Sequence, residues 1–164
     1  MSNTTQALFV GFGSPHGDDQ IGWLIADRLA RDGTLPTSVV VKKAAIPLDL
    51  LDWLENLDCL HVCDAFQGAA IPGELRRWEW DVVSDVPTMT ELFPNFMRLR
   101  CQGSHDFGLA AVLDLALRLH RLPHRIVVWA IAGDGFDVGN SVSEKLKRAL
   151  PTVTNSIQNE LNHA

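Results

Sequence analysis

The chain has few of the features that mark a disulfide scaffold, a membrane protein or a nucleic-acid binder. Its 164 residues include only 3 cysteines, and none lies in a Cys-x-x-Cys spacing, which disfavours a disulfide framework or a zinc ribbon and favours a reducing cytoplasm. No apolar run approaches the roughly 20 residues of a membrane helix, and the first residues lack the basic and apolar regions of a secretory signal. Lys and Arg number 14 against 20 Asp and Glu, for a net charge of −6. Because a negative surface repels phosphate backbones, we expect neither nucleic acid nor a membrane as partner.

The sequence is otherwise typical of a globular enzyme-sized domain. With 46% hydrophobic and 21% charged residues, the chain is long enough to bury one sizeable core. We predict a single domain over residues 1–164, and its oligomeric state is left open.

Short apolar segments alternate with stretches of helical periodicity. Segments with the character of strands are residues 7–13, 38–41, 60–63, 74–80 (an edge strand or hairpin arm) and 126–131. Apolar residues at helical spacing fall within residues 21–29, 47–54, 109–117 and 142–161. Strands separated by helices require crossover connections. We therefore predict a single three-layer α/β/α domain with a mostly parallel, twisted sheet of about five strands.

Several local signals predict where the helices begin and end. Asp18 is expected to cap the first helix and Gly33 to end it. Ser104 is expected to cap the helix that follows a long connection over residues 84–103. A capping-box pattern at residues 141–144 predicts the start of the last helix, which Pro151 should kink or divide.

Three polar side chains are expected at the edge of the sheet where ligands collect, outside the carboxyl ends of parallel strands. Asp19 follows the first strand, Asp64 ends the third, and His105 lies near the start of a later helix. Two carboxylates and an imidazole suit a borderline divalent metal, with open positions for substrate or water. Each residue alone has an ordinary interpretation as a cap, turn or first-turn residue. Their shared edge favours the site.

A dinucleotide-binding loop is a weaker interpretation of the same region. Gly11 and Gly13 begin such a motif, but His16 replaces its third glycine. The second strand ends in Lys42 and Lys43, where a ribose-binding acid is expected.

Other residues with chemical potential are interpreted as structural. Cys59 and Cys63 should point into the core from one side of a strand. His120 and His124 straddle Pro123 and are expected near a helix end.

The order and spacing of five short segments resemble the hydrogenase maturation endopeptidases. The match runs over roughly residues 7–135. The segments are FVGFG at 9–13, GDDQIG at 17–22, VCDA at 62–65, PGEL at 72–75 and SHDFGL at 104–109. The segment AGDGFD at 132–137 departs from the Gly-x-Gln-Pro pattern of that family, and the class of hydrogenase is left open.

The resemblance implies a function and a site. Members of this family are cytoplasmic, have a twisted sheet between helices, and remove a C-terminal extension from the large subunit of a nickel–iron hydrogenase after nickel delivery. Their metal-contacting positions match Asp19, Asp64 and His105. Nickel would be presented by the precursor, and zinc or cadmium could occupy the site in vitro.

Three hypotheses follow. The leading one is a cytoplasmic endopeptidase whose Asp19, Asp64 and His105 engage the nickel of the precursor, with Asp18 orienting Asp19. Trp78, Trp80 and residues 84–103 are then the expected contacts of the precursor tail. A second is a non-enzymatic nickel-sensing checkpoint or escort for that precursor, and the third is a nucleotide-binding module.

Overall fold

A computed structural model describes residues 7–68, 70–82 and 108–163, and they build one five-stranded sheet. The strands are β1 (Ala7–Phe12), β2 (Val39–Ala44), β3 (Cys59–Phe66), β4 (Leu75–Asp81) and β5 (Arg125–Ala132). Their order across the sheet is β2-β1-β3-β5-β4. The pairs β1–β2, β1–β3 and β3–β5 are parallel, and β4 runs antiparallel to β5 at the edge. The predicted fold class is confirmed, including the edge strand.

Helices cover both faces of the sheet. They are α1 (Ile21–Asp32), α2 (Leu109–Arg118) and α3 (Glu144–Asn162), with short 3₁₀ segments at Gly17–Gln20 and Pro47–Asp52. The helical spacing around Pro47 therefore forms a 3₁₀ segment rather than an α-helix. Within the described part of the chain, no helix has both the length and the apolar character needed to cross a membrane.

Side-chain alternation along the strands divides the core into two clusters. Leu60 and Val62 of β3 pack with α2 on one face. Cys59 and Cys63, one position out of phase, pack with α1 and α3 on the other face. Because both faces are covered, the central strands are almost wholly apolar, which explains why they appear in the sequence as continuous hydrophobic runs.

The first helix ends as predicted but does not begin as predicted. Gly33 adopts the left-handed conformation, with φ of 68°, at the C-cap of α1. Asp18 is not the cap. A 3₁₀ turn precedes the helix, its N-cap is Gln20, and no side chain caps it.

The capping box at 141–144 predicts Ser141 as the N-cap of the last helix, but the helix begins two positions later. Ser143 is the N-cap, and its hydroxyl accepts a hydrogen bond from the Leu146 amide at 3.4 Å. Pro151 lies inside this helix without dividing it. Its position on the exposed side leaves the carbonyl that loses a hydrogen bond near solvent. The predicted Ser104 cap and the connection over residues 84–103 lie outside the described residues, and the described part of α2 begins after Gly108.

Candidate functional site

Asp19 and Asp64 lie at the carboxyl edge of the parallel strands. Asp19 is half-buried in the Gly17–Gln20 turn that follows β1, and its amide donates to the His16 carbonyl at 3.1 Å. Asp64 lies near the end of β3 and is only 2% exposed. The Ala65 amide donates to Asp64 Oδ1 at 2.8 Å. The structure therefore places both predicted acids at the predicted edge.

Close packing at Gly22 brings the segments that carry the two acids near each other in space. A Cβ added at Gly22, in the first turn of α1, would lie 2.0 Å from the Phe12 carbonyl oxygen and 2.9 Å from that of Cys63. Only a residue without a side chain allows this approach. The helix thus begins directly against the ends of β1 and β3. The turn that carries Asp19 leads into this contact, and Asp64 directly follows Cys63.

His105 lies outside the described residues, and its role as a ligand stays a prediction. Asp64 is in phase with Leu60 and Val62 along β3, so it belongs to the sheet face that α2 covers. Leu109, the first residue of α2, packs in that same cluster. No group of three histidine, cysteine or acidic side chains arranged to hold a metal is found in residues 7–68, 70–82 and 108–163, a range that does not include the third predicted ligand.

The carboxylate of Asp18 joins the turn to the loop that follows β5. This loop, residues 133–143, is called the clamped loop below. Asp18 Oδ2 accepts from the amides of Asp134 at 2.6 Å and Gly135 at 3.1 Å. The Ser143 amide donates to Oδ1 at 2.7 Å, and its hydroxyl donates to Oδ2 at 2.9 Å. The carboxylate is fully buried and is satisfied by donors of one loop.

Backbone hydrogen bonds join the same two segments. Gly17 donates to the Asn140 carbonyl at 2.9 Å, and Asp18 donates to the Gly135 carbonyl at 2.7 Å. Gly17 has a φ of +56°, and a Cβ there would lie 2.4 Å from the Gly135 oxygen. The sequence motifs indicated no role at the site for this loop, although the segment AGDGFD at 132–137 departs from the family pattern. The sequence feature that could have indicated this loop is the glycine-rich turn GDG at 133–135, directly after a buried strand.

Several loops at this edge carry exposed apolar side chains. Among the described residues, Ile46, Leu48, Ile71 and Val138 follow β2, β3 and β5 at their carboxyl ends, and they are 48% to 81% exposed. If these side chains are contiguous, they would form the kind of apolar surface that protein partners cover.

Solved structures with the same fold were found by comparison. HybD, described as a hydrogenase maturating endopeptidase from E. coli, gives a TM-score of 0.75 at 19% identity, over 96% of this chain and 93% of that chain. A hydrogenase 2 maturation peptidase from a Thaumarchaeota archaeon gives 0.65 at 21% identity, over 95% and 97%. The [NiFe] hydrogenase maturation protease HycI from Thermococcus kodakarensis gives 0.66 at 16% identity, over 98% and 94%.

This chain has the fold of the hydrogenase maturation endopeptidases. The resemblance inferred from the motifs is thus matched by the architecture. No protein-family model matches the sequence, and a search of curated proteins gives no significant match.

In this endopeptidase fold, the two described cysteines are core residues, as predicted. Cys59 and Cys63 are buried free thiols. Burial raises the pKa of Cys59 to about 11. Burial, with a smaller contribution from the charge of Asp64, raises the pKa of Cys63. Neither thiol therefore supplies a thiolate nucleophile near neutral pH.

The expected tail contact at Trp80 is wrong. Trp80 is only 1% exposed and lies in the cluster beneath α2. Although β4 is an edge strand, its residues that face α2 are covered, so this indole is unavailable to a partner. Trp78 is partly buried against the same cluster.

The glycines of the dinucleotide interpretation have a packing role. A Cβ at Gly11 would lie 2.0 Å from the Gly22 oxygen, and one at Gly13 would lie 2.8 Å from the Trp23 ring. Close packing of α1 on β1 accounts for both residues without a bound phosphate. His120 follows α2, and His124 precedes β5. Both histidines are therefore far along the sheet from the acidic edge.

Proposed function

We propose that this chain is an endopeptidase that removes the C-terminal extension of a nickel–iron hydrogenase large-subunit precursor after nickel insertion. One combined observation supports the proposal. The fold matches solved hydrogenase maturation endopeptidases over 96% of the chain, and Asp19 and Asp64 lie at the sheet edge where that family's motif pattern places its metal contacts. The proposed location is the cytoplasm.

The chemistry assigned to the site is the engagement of a metal ion carried by the substrate. Asp19 and Asp64 supply carboxylate oxygens, and His105 supplies an imidazole nitrogen, a set that suits a borderline divalent ion. A nickel ion held there would polarise the scissile carbonyl as a Lewis acid. Water would then add its oxygen to the carbonyl carbon, the C–N bond would break, and the departing amine would take a proton from that water. The same ligands would accept zinc or cadmium in vitro.

A protein substrate fits the surface around the acids. The exposed apolar residues Ile46, Leu48, Ile71 and Val138 lie in loops that follow strands at the edge that carries Asp19 and Asp64. An enzyme for small polar metabolites has no need of such a rim, whereas a protein partner can cover it.

The test is cleavage of the precursor from the same source, prepared with and without nickel. Intact-mass spectrometry of the large subunit is expected to show loss of a C-terminal fragment only from the nickel-loaded form. Asp114→Asn, at a partly exposed position of α2 where the side chain pairs with Arg118, serves as a matched control and should cleave normally. Equal cleavage of both precursor forms would contradict the proposal. A stable complex without loss of mass would contradict it too, and would favour the escort hypothesis.

A further inference from the structure

Asp18 is a buried charged residue that takes no direct part in the proposed chemistry, and it does not cap a helix as the sequence predicted. Its side chain is 0% exposed. A carboxylate removed from water is costly unless donors satisfy it, and here three backbone amides and one hydroxyl do so. Keeping those donors in place requires the clamped loop and the Gly17–Gln20 turn to hold one fixed arrangement.

The contacts of Asp18 are long-range in sequence. The residues that they join are 116 to 125 positions apart. A helix cap would contact the first turn of its own helix, and Asp18 does not. If Asp18 orients Asp19, it must do so through the clamped loop and not by capping. The turn also donates back through the Asp18 amide to the Gly135 carbonyl at 2.7 Å. The two segments are therefore joined in both directions.

We propose that Asp18 is a positioning residue that fixes Asp19 relative to Asp64 by holding the clamped loop against the Gly17–Gln20 turn. The inference rests on the proposed function. Asp19 is the next residue in the same turn, so a rotation of the turn that breaks the contacts of Asp18 also displaces the Asp19 carboxylate. Groups that orient metal-contacting residues in this way typically contribute about 10- to 100-fold in metal affinity or activity.

Ser143 provides a way to separate this role from helix stability. Its hydroxyl donates to Asp18 Oδ2 at 2.9 Å and accepts from the Leu146 amide at 3.4 Å. One side chain thus serves both the contact with Asp18 and the N-cap of α3. A substitution that keeps the cap but removes the donor breaks only the first of these.

The principal test compares Asp18→Asn with the wild type and with Asp114→Asn. The amide has nearly the same shape as the carboxylate but places an N–H donor where an oxygen accepts. We expect Asp18→Asn to lower kcat on the nickel-loaded precursor by about 10- to 100-fold with little change in KM. We also expect Zn²⁺, titrated calorimetrically into the chain alone, to bind about 10-fold more weakly. Circular dichroism establishes that each variant is folded at the assay temperature.

A second pair of variants keeps the test decisive if Asp18→Asn does not fold. Ser143→Ala loses both the cap and the hydroxyl donor. Ser143→Asp keeps a good N-cap but sets a second carboxylate against Asp18. We expect Ser143→Asp to lose more activity and zinc affinity than Ser143→Ala. A role limited to capping α3 predicts the opposite order and would overturn the proposal.

The outcomes separate this inference from the proposed function. A folded Asp18→Asn variant with kcat and zinc affinity both within about twofold of wild type overturns the positioning role alone. A wild-type chain that binds zinc but never cleaves the precursor refutes the proposed function, and the zinc affinities of the variants then decide the positioning role. A wild-type chain that neither cleaves nor binds zinc overturns both.

Discussion

Acidic side chains are held in two different ways at opposite ends of the sheet. At the carboxyl edge, the fully buried Asp18 is held by neutral donors fixed in the backbone of one loop. Towards the amino end of β5, Glu79 and Glu160 are held by Arg77 and Arg125. We call these four side chains the arginine network. Its members have 22% to 41% side-chain exposure.

The carboxylate of Asp18 is held in a fixed geometry, whereas the arginine network is held by charge pairing between flexible side chains. Ion pairs between exposed side chains contribute little to stability and are screened by salt. Hydrogen bonds from backbone amides to a buried carboxylate are directional and cannot reorganise without moving a loop. Hydrogen bonds from Arg125 and then Arg77 lower the pKa of Glu79 to about 2, yet its carboxylate remains in contact with water. We infer that, of these two regions, the carboxyl edge is the one held rigidly enough to set the geometry of a reaction.

A buried histidine lies beside the arginine network and belongs to the core. Trp129 Nε1 donates to His61 Nδ1 at 3.1 Å, and the Arg77 guanidinium lies 5.5 Å from the Trp129 ring centre. His61 is 0% exposed. Burial is the main cause that lowers the pKa of this imidazole to about 4, so it is neutral near pH 7.

The largest expected difference between the two regions is in cleavage. Asp19→Asn removes a charged metal contact and should lower kcat/KM on the nickel-loaded precursor by more than about 100-fold. Glu79→Gln removes a charge from the arginine network and should leave cleavage unchanged. Single-turnover rates followed by mass spectrometry measure both. Similar rates for the two variants would remove the functional distinction between the regions.

The next largest effect concerns the pH dependence of stability through His61. Its pKa is about 4 in the folded chain against an ordinary 6.5, so between these values the unfolded chain binds more protons. The free energy of unfolding should therefore fall as the pH falls from 6.5 to 4, by on the order of 3 kcal/mol, with no further contribution below that window. His61→Gln keeps an acceptor for Trp129 but does not titrate, so its urea-unfolding curves should lack this component. Equal pH slopes for the two proteins would contradict the assignment.

A smaller effect on stability tests how tightly the clamped loop packs against Gly17. Gly17 and Gly33 both have positive φ, at 56° and 68°, but only Gly17 is crowded, since nothing lies within 4 Å of a Cβ at Gly33. We expect Gly17→Ala to lower the free energy of unfolding by about 3 kcal/mol and Gly33→Ala by about 1 kcal/mol. Urea denaturation of both variants isolates the contribution of the Gly135 contact. Equal losses would show that this contact is not tight.

The smallest effect is expected in the arginine network itself. Glu160→Gln should lower the free energy of unfolding by less than about 1 kcal/mol, because the ion pairs of this partly exposed network are largely screened by solvent. The difference should shrink further in high salt. Thermal unfolding at two ionic strengths measures it. A loss that is large and independent of salt would place this network among the rigid parts of the molecule.

The sequence predicted what depends on periodicity and strand order. Segments such as 126–131 are continuous apolar runs because both faces of the sheet are covered, so the strands could be found without the structure. Asp19 and Asp64 could be assigned to one edge because the carboxyl ends of parallel strands lie together. Both inferences need only local patterns and one topological rule.

What the sequence could not predict depends on contacts distant in the chain. Asp18 was expected to cap α1 because a helix follows it, but its donors are amides 116 to 125 positions away, and backbone amides carry no sequence signature. Trp80 was expected at an exposed edge because β4 is an edge strand. Its burial depends on where α2 crosses the sheet, which the alternation of residues 74–80 does not specify.

The most direct test of the central claim is to locate a bound ion by nuclear magnetic resonance. Paramagnetic Ni²⁺ added to the labelled chain broadens signals of nearby nuclei. We expect broadening to begin at the amides of Asp19 and Asp64 and at the His105 ring, and Asp19→Asn to weaken it. Broadening centred on Glu79 and Glu160, or on exposed histidines such as His124, would contradict the claim that Asp19, Asp64 and His105 meet around one ion.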